Sequence, residues 1–372
     1  MAETLSLPIH TLEWAAKKAG LPIESIANKI SKRNPESIVS GNLTLAQLRK
    51  FSDITKQPIG FLFLEEPPEE FEIDLPDLRT RKKSATLSKN LLDIFIDVKY
   101  KQDWYKEYLL SIGAAELDFV GKFSLEDKSE DIAKHIQSTL KLNISDPSIN
   151  DIDQYHDYIS KKAESSGILV FRNGVVKNNT HRPLNAEEFL GFAISDEIAP
   201  AIFINAADKT AEKIFTIAHE LAHIWIGVSG VSDVAVNTEN KIESKCNEIA
   251  SELLIPKKVF LAFWDTLNGS SDDRILAIRK KFRVSELVVA RVAMENQKIS
   301  QAAFWDKYNH FKNYFESQKS TGGNGEAMPP IRNSRNFMNT ITGLLNGGKI
   351  GFKEAGMLLN ISPMKLTKYL RQ

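Results

Sequence analysis

In His219-Glu220-Leu221-Ala222-His223, both the residue types and their spacing could do chemistry. On a helix, side chains four positions apart stack on one face, about 6 Å apart along the axis, so two imidazoles can grip one ion. The run sits among Ile214, Phe215, Ile217, Ile224 and Trp225, which predicts a largely buried helix with its histidines in the interior. Buried imidazoles need partners, and a Zn2+ ion would be one; two satisfied core histidines flanking an exposed Glu is the plainer reading of the same spacing. A catalytic zinc takes three protein ligands and keeps a fourth position for water. Glu220, beside the metal but not on it, is then placed to take a proton from the attacking water and return it to the leaving amine of a peptide.

A third ligand is expected from the next helix, Glu239 to Leu254, whose apolar face is built by Ile242, Cys246, Ile249, Ala250 and Leu253. At about 100° per residue, Glu243 lies roughly 60° from the centre of that face, Glu252 about 120° away, and Glu248 nearly opposite. Glu239 falls near the face centre but in the first, fraying turn, so spacing leaves Glu243 and Glu239 both open. Asn247, one turn after Glu243, is placed to orient a ligand. Cys246 could ligate or sense oxidation, although a small buried filler is the commoner role of a free cysteine. A developing oxyanion needs one donor besides the metal. His181 and Arg182, in the polar loop Asn178-Asn179-Thr180-His181-Arg182, are candidates, with a solvated loop as the equal alternative.

These residues need a scaffold. Residues 8–64 read as short, turn-separated helices: Ile9 to Lys18, Pro22 to Ile30, Pro35 to Val39 and Leu45 to Ile54. A Pro- and Glu-rich stretch and the basic run Arg79-Thr80-Arg81-Lys82-Lys83 mark a boundary. From Ser84 to about Ser111 apolar residues recur at helical spacing, and two further helices at 129–142 and 149–165 lead into Gly167. The period then changes to short β-rich runs, Gly167 to Arg172, Phe189 to Ser195 and Ala201 to Asn205, read as a small antiparallel sheet. Asp208 caps the histidine helix, which ends at Gly227. An edge strand of the sheet could hold an extended substrate by β-addition. Residues 257–318 read as helical, and a Gly-rich linker isolates a last pair of helices around Asn360-Ile361-Ser362-Pro363.

Composition sets outer limits. Lys plus Arg and Asp plus Glu number 48 each, so overall charge draws the chain to neither nucleic acid nor membrane. A single cysteine rules out an internal disulfide framework. With no charged-then-apolar leader and no long apolar run, the expected location is the cytoplasm, without membrane attachment.

Several blocks in order resemble the ImmA/IrrE metallo-endopeptidases, in the subgroup with an N-terminal XRE-type helix-turn-helix. They are Phe171 to Val176, Asn178 to Leu184, Ile202 to Asn205, Phe215 to Ile226, Glu243 to Asn247 and Ala250 to Pro256. The resemblance favours Glu243 over Glu239, because the family's Glu-x-x-(small)-Asn pattern begins there. It implies Zn2+ on His219, His223 and Glu243, Glu220 as base, and a protein substrate such as a transcriptional regulator, cut at one site. It also implies an alternative, since similar domain orders occur in antitoxin-like or DNA-binding partners of small toxins, where the metal site is structural or weakly active.

The N-terminal part is similar to XRE domains through Trp14-Ala15, Ala19-Gly20-Leu21, Ser40-Gly41 and Leu43 to Leu48. It departs between Lys29 and Ser40, which is shortened, and Val39 replaces the usual aromatic. Residues 1–65 carry eight basic against six acidic side chains, a weak footprint for DNA. The expected fold is α+β and mostly helical: a helix-turn-helix-like bundle (1–65), a linker (66–83), a zincin-like peptidase domain with a helical extension (84–318), a linker (319–334) and a helical, helix-turn-helix-like C-terminal segment (335–372).

Overall fold

The computed structural model describes residues 4–55, 57, 59–67, 87–143, 152–186, 188–207, 213–232, 241–317 and 329–368. The basic run Arg79 to Lys83, the expected cap Asp208 and the rival ligand Glu239 lie outside the described residues. The chain forms two compact units, 1–74 and 75–372.

In the smaller unit, α1 (Ile9–Lys18), α2 (Ile23–Ile30), α3 (Pro35–Val39) and α4 (Leu45–Thr55) stand where the turn residues place them. Asn34 accepts the Ser37 amide at the start of α3, with Pro35 preset for the first helical position. Leu12, Ile26, Ile38, Leu48 and Phe51 form the core. The sequence reading misses a ribbon of β1 (Thr4–Ser6) and β2 (Asn42–Thr44), because three-residue strands are too short to show alternation. At Gly41, in the left-handed region, a side chain would run into the Leu7 carbonyl. α3 lies in the stretch where the chain departs from the XRE pattern, and its five residues amount to little more than one turn.

The larger unit begins with α5 (Lys89–Ser111), capped by the Ser88 hydroxyl, then α6 (Ser129–Thr139) and α7 (Ile152–Ser165). Its sheet holds β3 (Leu169–Asn173), β4 (Gly191–Ile194), β5 (Ala201–Asn205) and β6 (Gly230–Ser232) in the order β3-β5-β4-β6. It is mixed rather than antiparallel: β3 and β5 run parallel with Phe171 opposite Phe203, and β4 is antiparallel to β5 and β6. β4 and β5 pair as a hairpin, while the long connection after β3 lets that strand reach the far side of β5, where the two directions agree. β3, β4 and β5 are almost wholly buried, which removes the polar alternation that would have told the two sheet types apart.

α8 (Lys213–Ile226) lies across β4 and β5 and packs on α9 (Lys241–Leu254). Four more helices follow: α10 (Lys257–Thr266), α11 (Ser271–Phe282), α12 (Glu286–Glu295) and α13 (Gln301–Ser317). Ile217, Leu221, Ile224, Trp225, Ile249, Leu253, Val289 and Phe304 share one core with the sheet. Among the described residues no helix is long and apolar enough to cross a membrane.

The last segment, α14 (Pro329–Arg332), α15 (Arg335–Asn346), α16 (Phe352–Leu359) and α17 (Pro363–Leu366), packs within the larger unit, although the Gly-rich stretch before it suggested a separate element. Glu164 on α7 accepts from the Ser334 hydroxyl and the Arg335 amide, both at 2.6 Å. The buried Asp97–Lys101 pair on α5 (2.7 Å) reaches Asn333 and Asn360. Phe337, fully buried, sits among Trp104, Tyr105 and Phe171. Phe337→Ala should cost about 3–5 kcal/mol, the usual range for a buried Phe. Thermal melts would show the loss and limited proteolysis would place it in the C-terminal segment; an unchanged melt would mean that the segment carries little of the stability.

Candidate metal centre

Each α8 side chain from Ile214 to Ile226 is buried, the polar His219, Glu220 and His223 included, so the helix has no solvent face there. Its end is fixed by a close backbone approach. Gly227, at φ +74, stands so near Gly121 that an added Cβ would lie 2.8 Å from the Gly121 Cα. The amides of Gly121 and Phe123 cap the last carbonyls of α8, those of Ile224 and Trp225. Trp225 stacks on Phe119 and donates its indole N–H to His135 at 2.9 Å.

α9 turns Glu243, Cys246, Ile249, Ala250 and Leu253 inward. Glu248 faces the other way and accepts from the Ser129 hydroxyl, and Glu252 accepts the Lys257 amide. The two helices bring three donor groups together. His219 Nε2 lies 3.1 Å from His223 Nε2; Glu243 faces the first with Oε2 and the second with Oε1, each at 3.3 Å. With metal–ligand bonds of about 2.0–2.1 Å, a tetrahedral site has ligand-to-ligand edges of about 3.3–3.4 Å. The two ring nitrogens stand close to such an edge, and the Glu243 carboxylate straddles them with one oxygen facing each, so the residues fit a zinc-sized ion.

The other ring nitrogens fix the tautomers. His219 Nδ1 donates to the Asn247 side-chain oxygen at 3.0 Å, and His223 Nδ1 donates to the Val228 carbonyl at 3.1 Å. Both Nε2 lone pairs are thereby turned toward Glu243, the arrangement in which an outer partner orients a metal-binding histidine. Loss of such a partner typically weakens metal binding by about 10–100-fold, so Asn247→Leu should show that loss in competition with a chelator. An unaltered affinity would mean that Asn247 does not orient His219.

The electrostatics agree with a site built for a cation. Burial raises the Glu243 carboxyl, but the bonded rings of His219 and His223 outweigh it and hold the group well below the usual carboxylate range. Burial also works against a charged His223, yet Cys246, Glu243 and Glu220 raise its affinity for a proton well above the ordinary value. His219 moves down, through burial first and the charge of His223 next. Two carboxylates, Glu220 at 0% exposure and Glu243 at 6%, thus share the interior with the two histidines. The Cys246 sulfur stands within 4.8 Å of the histidine donor atoms, with its thiol pushed up by burial. Glu243, at 3.3 Å from both rings, is the closer third donor.

Two glycines form the roof. A Cβ on Gly191 of β4 would lie 2.8 Å from Glu220 Oε1 and 2.8 Å from the Phe203 carbonyl. One on Gly230 of β6 would lie 2.8 Å from His223 Cε1. Neither glycine was singled out from the sequence. The available signal was Gly191 interrupting a β-rich run, since glycine inside a strand often marks a close approach.

The structure does not bring the expected loop donors to this site. His181 is exposed, its amide held by the Asn179 side chain, and among the described residues no hydrogen bond or ion pair joins its ring to the histidine cluster. Arg182 is tied to α5 instead, bonding Asn90 and pairing with Asp93 at 2.6 Å. That loop is polar because it anchors α5 to the sheet region.

A carboxylate and two histidines gathered between adjacent helices, with a further buried glutamate beside them, make a centre of the metallopeptidase type. Residues 163–294, from the end of α7 through most of α12, match the family model for the IrrE N-terminal-like domain of the M78 peptidases. The match covers about a third of the chain, supports the ImmA/IrrE resemblance and supports a peptidase. No curated protein matches the chain.

Proposed function

We propose that this protein is a zinc-dependent endopeptidase that cuts a specific protein partner, such as a transcriptional regulator. The observation that carries the reading is the face formed by His219, His223 and Glu243, with Glu220 buried on the same helix as the two histidines. These three residues would hold the ion, which supplies an acidified water near pH 7 and a Lewis acid for the substrate carbonyl.

Glu220 does the proton work. It lies between the histidines in sequence, and the missing side chain of Gly191 lets its carboxylate stand close against β4. It takes the proton of the attacking water and delivers it to the departing amine. Asn247 and Val228 hold the rings in the tautomer that leaves Nε2 free. Of the two outer strands, β6 is the one that touches the site, through Gly230, and an extended peptide added along it would pass close to His223. His181 remains a proposed oxyanion donor only if the exposed loop that carries it folds over bound substrate.

The test is elemental analysis of the purified protein beside His223→Ala, with cleavage of a co-expressed genomic neighbour as the second readout. The expected result is about one zinc per chain with cleavage, and loss of both in His223→Ala. Absence of stoichiometric metal would sink the site assignment. Metal without cleavage of any partner would favour an antitoxin-like or DNA-binding regulator in which the ion is structural.

A further inference from the structure

We propose that Cys246 is a fourth protein ligand, so that the metal centre can close on itself with two histidines, one glutamate and one cysteine. The proposal rests on the metal reading above and deepens it.

Three observations carry it. Cys246 lies one turn after Glu243 on α9, so both side chains leave the helix on the face turned toward α8. Its sulfur and the donor atoms of His219 and His223 all lie within 4.8 Å of one another. A tetrahedral site with a metal–sulfur bond of about 2.3 Å and metal–nitrogen bonds of about 2.0–2.1 Å needs a sulfur-to-nitrogen separation of about 3.6 Å. The remaining difference is about 1 Å at most, within the reach of a side-chain adjustment. Cys246 is also fully buried, so no solvent molecule competes from its side.

Four protein ligands define a closed site and three an open one. A chain that offers both sets at one centre has two coordination states. In the closed state the Cys246 S–H bond would break, its proton being released to the medium as the metal binds, and the sulfur would take the fourth position. In the open state sulfur regains the proton and that position returns to water. Metal chemistry alone balances the exchange, with no oxidant or reductant. The closed form keeps Glu220 without a water to activate, which makes Cys246 a brake on the peptidase.

Cobalt(II) substitution tests this, because thiolate-to-cobalt charge transfer absorbs in the near ultraviolet whereas nitrogen and oxygen ligands give only the weaker visible bands. The chain has one cysteine, so such a band has one possible thiolate source. The expected result is visible bands with a near-ultraviolet band in the unaltered protein, and loss of the latter alone in Cys246→Ala. Visible bands without the near-ultraviolet band in the unaltered protein would overturn the inference and leave the three-ligand peptidase standing. Failure to take up stoichiometric cobalt would remove both readings together. Should Cys246→Ala fold poorly, the spectrum of the unaltered protein still decides.

Discussion

Glu220→Gln is expected to lower peptide cleavage by about 10²–10⁴-fold, the usual worth of a general base, while metal content stays near that of the unaltered protein. Gln has the same size and shape as Glu, so it fits the closed space under Gly191 without moving α8. It cannot accept a proton. Glu220 is fully buried, so no solvent base can take its place from the same direction. Because His219, His223 and Glu243 supply the three donor groups, loss of the Glu220 carboxylate should leave the ion in place. Elemental analysis and a cleavage assay on the same preparation separate the two effects. Cleavage persisting within a few-fold would dismiss Glu220 as the base, and loss of metal would make it a ligand.

The second large effect comes from the roof of the site. Gly191→Ala places a Cβ 2.8 Å from both Glu220 Oε1 and the Phe203 carbonyl. Backbone on one side and a packed helix on the other leave no easy way to yield, so β4 and Glu220 must separate. A displacement of about 1 Å in a reacting group can cost on the order of 10²-fold in rate, and overpacking adds about 1–3 kcal/mol of instability. Gly230→Ala should act differently, since its Cβ meets the His223 ring rather than the base. The expected split is lost turnover with retained metal for Gly191→Ala, and weakened metal binding for Gly230→Ala. Equal behaviour of the two variants would mean that they act through general misfolding.

Much of this centre is legible in the sequence because helical geometry alone determines it. Four-residue spacing sets His219 against His223, and the same rotation sends Glu243 inward and Glu248 outward to Ser129. The family resemblance adds the choice of Glu243 over Glu239. What the sequence hides is whatever depends on contacts between distant segments. The Val228 carbonyl that holds His223 belongs to the short connection between α8 and β6, and a backbone acceptor leaves no trace in residue type. The parallel pairing of β3 with β5 depends on where the chain crosses, and buried strands on both sides give no alternation to read. Arg182 shows the opposite error. A polar loop near predicted strands suggested chemistry, yet its charge is spent on Asp93 of a helix about ninety positions earlier in the chain.

The hydrogen-bonded histidines imply something about how the site fills. The carboxylates and thiol around His223 raise its affinity for a proton, and a proton on Nε2 would take the lone pair that a metal needs. Loading is then an exchange in which an arriving cation evicts a proton, so its apparent affinity climbs with pH and acid strips the site. The same interior can thus stay assembled while the centre is empty, waiting for metal at a pH where the proton leaves readily.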